Sequence, residues 1–278
     1  MFTAVCMPSA MSKRRSLRLI IVFGAIVLLT CSSGCSLIKA RPADDAGFLP
    51  NPELLKEMSE RAPFHAAYVS DSDRIEQLRR QYTKVHIEPV VTFLAEEKLK
   101  KRNLPDSVIA DRIEDLRELA RYFEGRIRVA FEEFDPEDVD QEEASQGPIK
   151  KFQIVDIPTD DTFVWQLAII DISPNVPELS IAATAAGFFV PGTGAVRALG
   201  SGSVAIEGIV RDGKTGDLLC EFRDRESDKS APISIRDYQM YAHIRRALDE
   251  WAEQFAELAG TPMTHRVADS LPFTLNPF

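Results

Sequence analysis

"SVAIEGIVRDGKTGDLLCEFRDRE", Ser203 to Glu226, carries two runs of alternating apolar and polar residues around a break at Asp212, Gly213 and Gly216. Alternation with period two sends every second side chain to one face of a strand, so the pattern predicts a β-hairpin with one buried face. That face needs a cover, and two flanking segments have the periodicity to supply it. In "NLPDSVIADRIEDLRELARYFEGRIRVAFEEF", from Asn103, the apolar positions Ile109, Ile113, Leu116, Ala120, Phe123, Ile127 and Phe131 are spaced by three and four. This is one face of a long helix with a start signal at Asn103 or Asp106, and Gly125 is a candidate bend or end. In "IRDYQMYAHIRRALDEWAEQFAELAG", Met240 or Tyr241, Ile244, Leu248, Trp251, Phe255 and Leu258 form a second stripe that stops at Gly260.

Further strands are expected at "YTKVHIEPVVTFL", Tyr82 to Leu94, with Pro89 marking an edge or bulge, and on both sides of a Pro158–Asp161 turn in "FQIVDIPTDDTFVWQLAIIDI". Strand, helix, strands, hairpin and helix add up to an α+β fold: one mostly antiparallel sheet covered on one face by two long helices. The expected organisation is a signal over 1–34, an extended tether over 35–81, the α+β domain over 82–260 and a tail over 261–278. Within the domain lie an acidic loop, 132–147, and a Gly/Ala-rich span, 181–202.

The tether is assigned on composition, being rich in proline and charge with only short apolar runs. Ahead of it, "MSKRRSLR" from Met11, a candidate start, precedes the uncharged "LIIVFGAIVLL", Leu19 to Leu29. A basic segment followed by about 11 apolar residues matches an export signal and is short of the roughly 20 that span a bilayer. Next comes "CSSGCS", with cysteines at 31 and 35. A zinc site needs about four ligands, and His65, His86, His243 and His265 show no paired spacing to complete one. A Cys31–Cys35 disulfide closes a very small loop and leaves Cys220 alone. The order of basic, apolar, small and Cys resembles the lipobox of bacterial lipoproteins, in which the cysteine is acylated and becomes the mature N-terminus. Cys35, preceded by Gly34, is the expected lipidation site; Cys31, with Leu28 three positions upstream, is the alternative.

The formal charge is −10, and removal of the signal with its bases Lys13, Arg14, Arg15 and Arg18 takes it to −14. A surface that acidic repels phosphate backbones, and no basic patch interrupts it, so nucleic acid is not an expected partner. Gly192, Gly194 and Gly200 in the Gly/Ala-rich span superficially suggest a phosphate loop. Arg197 stands where a dinucleotide loop needs its third glycine, and the P-loop lysine is missing. Glu132 to Glu143 lacks the glycine and alternation of a calcium loop and reads as a solvated charged loop. No serine elbow or zincin helix is present, Ser201 and Ser203 lack the elbow spacing, and Cys220 falls on the inward face of its strand beside Leu218 and Phe222. His243 reads as a hydrogen bonder on the flank of its helix. No cofactor, metal or catalytic residue is expected.

"AGFL" from Ala46, "YTKVHIEPV" from Tyr82, "VRDGKTGDLL" from Val210 and "DEWAEQFAEL" from Asp249 together resemble the bacterial lipoproteins grouped as domain of unknown function 3313. The resemblance runs from about Gly47 to Leu258 in the same order of segments and implies no established activity. The expected function is a lipid-anchored protein of the cell envelope, at the outer membrane facing the periplasm, binding an envelope protein or cell-wall component without catalysis. The alternatives are an accessory lipoprotein of an envelope transport or lipid-trafficking system and a hydrolase with an unrecognised site.

Overall fold

The computed structural model describes residues 41–57, 61–139, 147–173, 202–227 and 241–269. The signal, Cys31, Cys35, residues 140–146 of the acidic loop and all of the Gly/Ala-rich span except Gly202 lie outside them.

The architecture is α+β. Seven strands form one sheet in the order β1-β2-β7-β6-β5-β3-β4. The strands are β1 (Lys56–Glu57), β2 (Ala66–Val69), β3 (Lys84–Ile87), β4 (Gln153–Ile154), β5 (Thr162–Ser173), β6 (Ser203–Asp212) and β7 (Leu218–Ser227). The helices are α1 (Ser72–Gln81), α2 (Phe93–Lys100), α3 (Asp106–Glu133) and α4 (Ala242–Gly260). Pairing is antiparallel from β1 through β2, β7 and β6 to β5, and parallel where β3 meets β5 and β4.

β6 and β7 form the expected hairpin, Ser203 opposite Ser227 and Val210 opposite Cys220. Its turn closes through Gly216 N to Asp212 O at 2.7 Å, and Gly216 holds φ +75°, a left-handed conformation free of a Cβ clash only for glycine. The helical stripes also form as read. Leu116, Ala120, Phe123, Ile127 and Phe131 of α3 and Ile244, Leu248, Trp251 and Phe255 of α4 are buried in one core with Phe163, Trp165, Leu167, Val204 and Ile206 of the sheet. Both long helices therefore cover one face, called here the front. α3 runs through Gly125 to Glu133 without ending there.

Three features differ from the sequence reading. The Tyr82–Leu94 strand is cut to Lys84–Ile87: Pro89 has no N–H to donate, the chain rejoins the sheet only at Val91 opposite Ala168, and α2 starts at Phe93. The strands around Pro158–Asp161 do not pair with each other, because both flank β3 in parallel. The segment read as a tether supplies β1, β2 and α1, and its first part lies on the back of the sheet. Few apolar residues are needed for that docking, since buried carboxylates of β6 and β7 take up its backbone amides. Of the expected tail, Thr261, His265 and Val267 are buried, and Val267 N donates to Arg61 O.

Candidate functional site

Two places on the sheet gather chemistry. On the front, β2, β7, α1 and the C-terminal end of α4 enclose a half-open cavity of about 110 Å³. Phe64, Trp165, Val210, Phe222 and Leu258 contribute apolar wall, and Cys220 lines the same space. Burial pushes the Cys220 thiol up to about 12, so at neutral pH it is a protonated apolar group and not a nucleophile. Arg61, also in the lining, donates to the carbonyls of Pro262, His265, Leu258 and Thr261, capping the negative end of α4. Desolvation lowers its guanidinium to about 10. Arg79 donates to Glu76, Gly260 O and Pro148 O, so the second guanidinium of the lining is also engaged.

Asp224, on the front of β7, is buried with its carboxylate shared among neighbours. One oxygen accepts from His65 N at 3.0 Å and faces His65 Nδ1; the other accepts from Trp251 Nε1 at 2.8 Å. The cluster joins the entry to β2, strand β7 and helix α4.

The back face is organised by two carboxylates with no exposed surface, Glu207 and Glu221. Glu207 is held by Arg223 at 2.7 Å, and its two oxygens accept from Ala46 N and Phe48 N, each at 3.3 Å. Arg223 reaches on to Asp45 at 2.9 Å. Glu221 Oε1 accepts from Asn51 N at 3.1 Å. Ala43 closes over Ala168, Ile170 and Ala205. Residues 43–51 thus form a strap across the sheet. Between the strap and the β3–α2 connection runs a groove of about 490 Å³ whose lining includes Phe48, Glu88, Pro89, Gln166 and Arg211. Gln166 bridges the charges, donating to Glu88 at 3.0 Å and accepting from Arg211 Nε at 3.3 Å. The "AGFL", "EPV" and "VRDGKTG" segments all reach this groove, a convergence no local pattern announces because Gly47, Glu88 and Arg211 are far apart in the chain.

The residues singled out in sequence are not brought together. Cys31 and Cys35 lie outside the described residues, as does Ser201. Ser203 Oγ meets Arg225 at 3.5 Å at the start of β6. His243 is buried in α4, close enough to Gly202 that a Cβ there would sit 1.7 Å from its ring. His86 Nδ1 contacts Val155 O at 2.9 Å and His265 Nε2 contacts Glu257 at 2.9 Å, well separated in role. Among the described residues no group of three or more His, Cys, Asp or Glu is placed to hold a metal, and no helix is long and apolar enough to cross a membrane.

The class so defined is an α+β protein with one mixed sheet, two long helices in front and an N-terminal strap behind. Residues 145–255, from the approach to β4 through most of α4, match the model of the family described as protein of unknown function DUF3313. None of the curated proteins matches the chain. Two solved structures of PelC dodecamers from Paraburkholderia phytofirmans are similar at 8% identity and a TM-score of 0.31. A point variant covers 74% of this chain and 95% of its own, and a second crystal form covers 65% and 89%. At that TM-score the likeness establishes neither a shared fold nor a shared role.

Proposed function

We propose that the chain is a lipid-anchored protein of the cell envelope, at the outer membrane facing the periplasm, whose α+β domain is a non-catalytic binding module. The observation that carries this reading is the strap. Ala43, eight residues after Cys35, is buried, and the amides of Ala46 and Phe48 are fixed on Glu207. Eight residues reach at most about 29 Å when fully extended. A lipid on Cys35 therefore holds the domain at the bilayer surface and leaves the groove beside the strap available to an envelope protein or cell-wall component. The non-catalytic part is supported by the state of the candidate groups: the Cys220 thiol is kept protonated, and the His65–Asp224 contact is committed to Trp251 and the packing of α4.

Acyl chains contribute about 0.8 kcal/mol per buried methylene, enough with more than one chain for stable anchoring. The mature protein is expected to begin at Cys35, to carry acyl chains by mass spectrometry and to sediment with membranes, while Cys35→Ser moves it to the soluble fraction. An unacylated N-terminus downstream of Cys35 overturns the anchor, and release by Cys31→Ser but not by Cys35→Ser reassigns it.

A further inference from the structure

The cavity on the front of the sheet calls for an explanation that an anchored scaffold does not supply. Protein interiors are packed to crystal-like density and leave few voids larger than a water molecule. A space of about 110 Å³ among Phe64, Trp165, Val210, Phe222 and Leu258 forfeits the dispersion contacts those side chains would otherwise make. Its scale approaches that of an apolar cavity of about 150 Å³, which stays dry and takes benzene-sized ligands. We propose that this cavity is a binding site for the apolar end of an aliphatic chain.

Three observations select that ligand class. The wall is almost wholly apolar, and its one thiol, Cys220, is held in the neutral form that packs as a small hydrophobe. The two guanidinium groups of the lining are directed to partners within the protein: Arg61 to four carbonyls and Arg79 to Glu76, Gly260 O and Pro148 O. A polar ligand atom in the cavity would lose its water without gaining these donors, a net cost. The cavity is also half-open, and its lining includes the partly exposed Tyr68 and Val69 of β2. A chain can enter end-first and leave its head group in solvent, whereas a compact polar molecule gains nothing inside. This site goes beyond the envelope reading and does not depend on the anchor.

The test uses the full chain carrying Cys31→Ser and Cys35→Ser, so that no covalent lipid competes. Titration with 8-bromooctan-1-ol should quench part of the tryptophan emission saturably, because Trp165 forms wall and bromine quenches at contact. Ala67→Leu and Ala259→Leu each fill the cavity from its lining and should raise the quenching midpoint at least tenfold while the far-ultraviolet dichroism is kept. Absence of saturable quenching, or unchanged midpoints in both filled variants, overturns the site. A second readout needs no filled variant: saturating 1-octanol should slow thiol labelling of Cys220 at pH 9 several-fold, located by mass spectrometry. An unchanged labelling rate likewise overturns the proposal, and neither result bears on whether Cys35 is acylated.

Discussion

Phe222 lies across Gly208 of the neighbouring strand, where an added Cβ would come within 2.2 Å of its ring. The absent side chain lets that ring lie low on the sheet, stacked on Phe64 at 4.4 Å and edge-on to Phe255 at 5.5 Å. Trp251 stands beside this aromatic group, 1% exposed, with its ring 6.3 Å from Phe123 and its indole N–H on Asp224. The residue has two separable roles, volume and hydrogen bond. Trp251→Ala removes both and is expected to destabilise by about 3 to 5 kcal/mol. Trp251→Phe keeps most of the volume but leaves one buried oxygen of Asp224 without the indole donor, at a cost of about 1 to 3 kcal/mol. Urea unfolding of the two variants beside wild type checks the order. Equal midpoints for Trp251→Ala and wild type would show that the stripe on α4 does not face a core.

Helices α3 and α4 and the β6–β7 hairpin were legible in the sequence because a helix stripe and a strand alternation are written in neighbouring residues. The strap was not, because its docking rests on carboxylates that follow it by about 160 positions: Ala46 and Phe48 contribute only backbone amides, and Glu207 reads locally as one more polar residue in a strand. β1 and β2 are short and meet the sheet through β7, and no spacing within residues 35–81 encodes that partner. The cavity was equally hidden, since its walls come from β2, α1, β5, β6, β7 and α4; only the inward direction of Cys220 could be read. The strap is thereby open to a direct test. Glu207 has no exposed surface and pairs with Arg223, whose side chain is 13% exposed, and removing one member of such a pair leaves an uncompensated charge. Glu207→Gln should lower stability by about 3 kcal/mol and speed hydrogen exchange at Ala46 and Phe48 before it affects α3 or α4. Unchanged exchange at those two amides would mean that the strap is held by Ala43 and its apolar neighbours alone.

Across the whole molecule, the contacts between elements pass repeatedly through ionised carboxylates, and this sets how stability responds to acid. Burial by itself would raise Asp212, but Tyr82 Oη at 2.6 Å, Lys214 N and Thr215 Oγ1 at 3.0 Å and Arg74 at 3.2 Å outweigh it and hold it below the usual range. That one carboxylate ties the hairpin turn to α1 and to the residue between α1 and β3. Arg117 grips Glu96 with two bonds of 3.0 Å and lowers it, joining α2 to α3. Hydrogen bonds from Thr159 and Lys84 bring Asp161 down to about 2, joining the start of β5 to β3. Glu253, raised by burial, works in the opposite direction, one group against these three. A carboxyl whose folded value lies below its unfolded value binds fewer protons when folded, so its stabilisation is present above about pH 4 and fades as pH falls through the folded value. The Cys220 thiol, pushed up to about 12, has the other sign: its contribution is complete below about pH 8.5 and is lost as pH rises toward 12. Unfolding free energy should therefore form a plateau from about pH 5 to 8, falling on the acid side below about 4 and on the alkaline side above about 9. Asp212→Asn should be less stable than wild type at pH 7 and should lose less between pH 5 and 2.5, since the group that takes up the proton is gone. Parallel acid limbs for the two proteins in urea titrations would place the acid sensitivity elsewhere and remove Asp212 as the tie between the hairpin and α1.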